Sequence, residues 1–140
     1  MNYTITIRYL WDSDYIFMEI LKGKTKPTIE RQLALKDAIE LLSGKWKIVI
    51  LKNLYLHGTM RFKDVMETSA GITPKVLSKE LQQLEENLLI TRTVNNTKPV
   101  SVSYALTDHA SKTLPVINAL IEFGLIHRKK IKSYLLSDKP

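Results

Sequence analysis

The chain has 140 residues, 44% of them hydrophobic and 25% charged, which is the composition of one packed domain rather than two. Lys and Arg outnumber Asp and Glu by 21 to 14, a net charge of +7; such an excess suits a phosphate-bearing partner, nucleic acid or an anionic membrane surface. There is no cysteine, so disulfides, thiolate zinc sites, iron–sulfur clusters and thiol-based sensing are excluded.

Residues 1–30 read as an N-terminal arm without an assignable role. Thr4 to Ile7 alternates like a short strand, Ile16 to Leu21 makes one or two helical turns, and Lys22 to Thr28 is linker. The first residues lack the cationic start and long apolar run of a signal peptide. No stretch reaches the roughly 20 apolar residues that cross a bilayer, and the expectation is a cytoplasmic protein with no membrane role.

From Arg31 the periodicity sharpens into a domain expected over residues 31–136, followed by a short tail, 137–140. Leu33 to Leu42 is an amphipathic helix closed by Ser43-Gly44. Lys45 to Leu56 follows, apolar nearly all round, as expected of a buried central helix. Phe62, Val65 and Met66 mark a short third helix. A fourth opens at Thr73-Pro74, with Thr as N-cap, Pro in the first turn and Ile72 and Leu77 spaced as a hydrophobic staple. It should run to about Asn87. Leu89–Val94 and Ser101–Leu106 are strand-like runs joined by the turn Asn95-Asn96-Thr97-Lys98-Pro99. Thr107 caps a last helix reaching Leu136, with Pro115 ending or kinking its first turns.

This order predicts a mainly α fold with a small antiparallel hairpin. Two helices joined by a short turn, Arg61–Glu67 and Thr73–Asn87, form a helix-turn-helix, and the hairpin behind them is a wing. The second helix has two faces. Leu77, Leu81, Leu84 and Leu88 form the inner stripe; Lys75, Ser78, Lys79 and Gln82 form the outer one, which carries no acid. Lys neutralises phosphates or donates to guanine, Gln bridges an adenine edge, and Ser adapts to either. A plain solvated face explains the stripe alone about equally well; Arg92 and Lys98 in the hairpin tip the balance toward DNA.

Other signals carry less. Gly23-Lys24-Thr25 lacks the upstream glycine of a phosphate-binding loop, where Met18 stands. His57, His109 and His127 have no metal-ligand spacing. The run His127 to Lys132 reads as a solvated helix end whose cations complement the helix dipole. No nucleophile–base pair, metal cluster or cofactor motif supports an enzyme.

Several segments together resemble the HxlR family of winged helix-turn-helix regulators. They are Gly44-Lys45-Trp46-Lys47, Arg61 to Val65, Gly71-Ile72-Thr73 with Lys75-Val76-Leu77, Leu81 to Glu85, Leu89 to Arg92, Val102 to Thr107 and Leu114 to Ile117. The similarity spans about Leu33 to Gly124. It implies a three-helix core flanked by N- and C-terminal dimerisation helices, and a regulator that binds pseudopalindromic operators. On that reading Lys75, Ser78, Lys79 and Gln82 address the major groove, while Arg61, Thr73, Arg92, Asn95, Asn96 and Lys98 hold backbone or minor groove. Leu35, Ile39, Leu42, Leu114, Ile117, Ile121 and Phe123 would form the dimer interface, because they show more apolar surface than one small domain can cover. The sequence departs from the family in two places. Leu33 stands where members often carry a cysteine, and Ser101 and Ser103 stand where charged residues are usual. A non-specific or architectural DNA binder, and a protein-docking winged helix, are the alternatives. A small-molecule effector has no residue assigned to it.

Overall fold

The structure is a computed structural model that describes residues 29–137. The chain divides into two compact units, residues 1–43 and 44–140. In the first, helix α1 (Ile29–Leu42) contains no buried residue; Leu35 and Ile39 are exposed and Leu42 is half-buried. The expected arm lies almost wholly outside the described residues.

The second unit runs α2 (Lys47–His57), β1 (Met60–Arg61), α3 (Phe62–Thr68), α4 (Pro74–Glu86), β2 (Ile90–Asn95), β3 (Ser101–Leu106), a 3-10 turn (His109–Thr113) and α5 (Leu114–Ser137). The three strands form an antiparallel sheet in the order β1-β3-β2. Tyr104 sits opposite both Met60 and Arg92, and Ile90 pairs with Leu106. Met60 and Tyr104 are both buried, so the two-residue strand β1, which the sequence pattern is too short to signal, is anchored by side-chain packing. Three helices supply the core: Ile50, Leu51 and Leu54 from α2, Val65 from α3, and Leu77, Leu81 and Leu84 from α4. Leu89, Ile90, Ala110 and Ile117 close it.

Expectations for α2, Thr107, Ile117 and Leu88 are corrected, and that for Pro115 is met. Helix α2 is not apolar on every side in effect: Tyr55 and Leu56 face outward while Lys47 and Asn53 are buried. The first turns of the expected last helix do end at Pro115: they form the separate 3-10 turn His109–Thr113, and the α-helix starts at Leu114. Pro115 stands second in α5, where a missing N–H removes no intrahelical bond, and Thr107, expected to cap that helix, instead precedes the 3-10 turn, its Oγ1 accepting from Ala110 N at 3.2 Å. Ile117, expected on the dimer face, is 4% exposed and belongs to the protomer's own core. Leu88 leaves the inner stripe. Its φ is +61° and its side chain is 70% exposed, while Leu89 turns in to take the buried place.

That last correction has a clear geometry. Leu89 N donates to Leu84 O at 2.9 Å and Leu88 N to Glu85 O at 2.9 Å, the paired bonds of a Schellman ending. The motif needs a left-handed residue at Leu88, a place glycine usually takes, and it aims β2 back along the sheet.

Candidate nucleic-acid interface

Helix α4 begins on a built cap: Thr73 Oγ1 accepts from Val76 N at 3.3 Å, with Pro74 behind it. Its inner face, Leu77, Leu81 and Leu84, is wholly buried, so its roll about its own axis is fixed. Lys75, Ser78, Lys79 and Gln82 are thereby all exposed on the opposite side.

Helix α2 fastens this arrangement at three points, none of them legible as such from the apolar pattern. Lys47 Nζ lies 3.1 Å from Glu80 Oε2 of α4, with the two side chains only 11% and 17% exposed. The approach is off the line of a good hydrogen bond to that oxygen, which has no other partner, so the attraction is that of the two charges. Asn53 Nδ2 donates to Thr68 O at 3.1 Å and to Ser69 Oγ at 3.2 Å, closing the end of α3 in a buried polar cluster. Trp46 reaches the turn between α3 and α4, where a Cβ on Gly71 (φ +91°) would sit 3.9 Å from the edge of its ring. Only the apolar residues of α2 announce themselves in sequence; the polar fastenings need the third dimension.

The outer stripe is less free of acid than its spacing suggests. Gln82 Nε2 donates to Glu86 Oε1 at 2.8 Å, one turn on. Ser78 and Gln82 border a shallow depression of about 400 Å3 that is also lined by Arg92, Tyr104 and Glu85, so the outer face of α4 and the wing meet there. Arg61 closes β1 and caps α3 through its backbone, its N donating to Asp64 Oδ2 at 3.0 Å; its guanidinium is exposed.

In the wing, Asn96 and Lys98 are exposed at the tip. Asn95 is instead half-buried and turned inward: its Nδ2 donates to Ser101 Oγ at 3.3 Å and Ser103 Oγ at 3.2 Å. Thr97 Oγ1 lies 3.0 Å from Ser101 Oγ and donates to Pro99 O. The two serines that depart from the family's charged pattern therefore staple the hairpin. Of the interface candidates on α5, Ile121 and Phe123 are exposed and Leu114 is half-buried. Among the described residues no group of three His, Cys, Asp or Glu could hold a metal ion.

A short helix, a turn, a capped helix with one polar outer face, and a hairpin wing define a winged helix-turn-helix protein, the architecture that lays its second helix in a DNA groove. The chain belongs to the HxlR-like helix-turn-helix family, whose model matches residues 41–132. It is 36% identical over 104 residues to an HTH-type transcriptional regulator of Halalkalibacterium halodurans, covering 74% of this chain and 90% of that one. Among solved structures it resembles the transcriptional regulator YodB from B. subtilis in its reduced form, with a TM-score of 0.58 and 31% identity over 64% of this chain and 87% of that chain. It also resembles the reduced form of the redox regulator HypR, with a TM-score of 0.65 and 26% identity over 72% and 99% of the respective chains.

Proposed function

We propose that this regulator acts as a homodimer on a pseudopalindromic duplex operator, placing α4 of each protomer in the major groove. The observation that carries the reading is the two-faced α4: three leucines and a buried ion pair hold its inner side, and Lys75, Ser78, Lys79 and Gln82 project from the other. Lys75 and Lys79 supply charge, and Ser78 and Gln82 supply base-edge donors and acceptors. Arg61, Thr73, Arg92, Asn96 and Lys98 supply backbone or minor-groove contacts, while Asn95 serves chiefly to shape the wing.

Dimerisation is supported by exposed apolar side chains: Leu35 and Ile39 on α1, and Ile121, Phe123, Leu125 and Ile126 on α5. The place of action is the cytoplasm; among the described residues no helix is long and apolar enough to cross a membrane. The protein is a binder, not an enzyme, and any effector reaches it without thiol chemistry, because the chain has no cysteine.

The test is fluorescence anisotropy with an operator selected from genomic fragments and with scrambled duplex. Gln82→Ala and Ser78→Ala should relax the preference at single positions by roughly 1–3 kcal/mol each. Lys98→Ala should weaken all sequences alike. If the outer-stripe variants bind like the parent, α4 is not the reading helix; if the parent binds no DNA at low salt, the functional reading fails.

A further inference from the structure

The sequence HxlR-like segment Gly44-Lys45-Trp46-Lys47 contains two lysines with opposite fates. Lys47 is buried against Glu80. Lys45 is exposed, and its Nζ sits over the Trp46 ring, 4.6 Å from the centroid. We infer that Lys45 is a further DNA-binding residue, held by Trp46 beside the turn that leads into α4 and contacting a backbone phosphate flanking the bases that α4 reads. The inference rests on the proposed docking of α4 in the groove.

Three observations place the cation. Trp46 is half-buried and its ring edge lies against Gly71, two residues before the Thr73 cap of α4. Lys45 is stacked on that ring, so its ammonium is presented at the same end of the reading helix as Lys75. Among the described residues the ion pairs engage Lys36, Lys47 and Lys63, and Lys45 is in none of them.

The choice of an aromatic seat has a physical sense. An exposed cation–π contact is worth about 0.5–1 kcal/mol, enough to bias the side chain toward one rotamer and little enough to surrender to a phosphate. A carboxylate partner would hold the ammonium in place too, but would repel the nucleic-acid backbone. The indole positions the charge without that repulsion. Gly71 contributes through its backbone, whose φ of +91° suits glycine and shapes the turn beside the ring.

The experiment is an anisotropy titration of the full-length dimer with the selected operator and with scrambled duplex, between 50 and 200 mM NaCl. Lys45→Gln should lower affinity for both duplexes by the same factor, roughly tenfold at low salt, and reduce the salt slope by about 0.9 for each protomer's lost contact. Lys45→Arg should keep both affinity and slope near the parent values. Both substitutions are at an exposed position, and an unchanged melting temperature verifies the fold. A parent-like slope and affinity for Lys45→Gln, alongside intact operator binding, overturns the assignment of Lys45 and leaves the α4 reading standing. A loss confined to the operator also overturns it, since Lys45 would then be reading a base. If the parent itself binds neither duplex, both readings fall together.

Discussion

Replacing Lys47 by Met tests whether the link between α2 and α4 is structural in the sense described. The substitution keeps the length of the side chain and removes its charge, leaving Glu80 Oε2 buried with no partner. Breaking one side of a fully buried ion pair costs about 3–5 kcal/mol. The two side chains here retain 11% and 17% of their exposure, so some water reaches them and about 2–3 kcal/mol is the expected loss. With an urea m-value of about 2 kcal/mol per molar, that moves the midpoint down by roughly 1 M. Removing both charges, as Lys47→Met with Glu80→Leu, should recover most of the loss, because an apolar pair of similar volume leaves nothing unsatisfied. The coupling between the two positions should then exceed about 1.5 kcal/mol in a double-mutant cycle. Urea unfolding followed by far-UV circular dichroism, at one fixed protein concentration so that dimerisation does not intrude, reads the parent, the two single variants and the double variant. The pairs Lys36–Glu40 and Lys63–Glu67, at 3.8 and 3.7 Å on the surface, are the contrast: cutting either should cost no more than about 0.5 kcal/mol. A loss below about 0.5 kcal/mol for Lys47→Met, or strict additivity in the cycle, would refute the reasoning.

Three other outcomes are expected. Leu88→Gly should stabilise the protein by about 0.5–1 kcal/mol, since the left-handed φ of +61° penalises a leucine whose side chain is 70% exposed; a lower melting temperature would show that the leucine makes a contact that outweighs the strain. Glu86→Gln should tighten binding to every duplex several-fold, by removing an acid beside the phosphates and loosening its hold on Gln82; unchanged affinity for scrambled DNA would count against a groove-facing Gln82. Diamide or peroxide, at doses that spare methionine, should leave operator affinity unchanged in a chain with no cysteine, and a loss reversed by dithiothreitol would contradict that.

The fold was legible wherever burial follows a simple period. Leu77, Leu81 and Leu84 recur at helical spacing and Thr73-Pro74 announces a helix start, so α4 and its two faces follow from the sequence directly. Reading failed where one residue's backbone overrode the period. Leu88 continues the leucine stripe in sequence, but α4 stops at Glu86 and the left-handed turn hands the core position to Leu89. It failed again where polar groups are buried against distant partners, as for Lys47 with Glu80 and Asn53 with Ser69, 33 and 16 residues apart. Nothing in a local window distinguishes such a lysine from the exposed Lys45 two places before it. Ile117 shows the same limit from the apolar side: one stripe of a helix cannot say whether its own domain or a neighbour covers it.

In α4 the groups that secure the helix and the groups proposed to meet DNA occupy opposite sides and share no residue. Leu77, Leu81, Leu84 and Glu80 are committed to the protein, whereas positions 75, 78, 79 and 82 are exposed. A lineage can therefore exchange those four outward side chains with little penalty to folding, since exposed substitutions rarely change stability by more than about 0.5 kcal/mol. Gene duplicates built on this scaffold are free to drift toward new target sequences one base contact at a time, each intermediate remaining a well-folded protein.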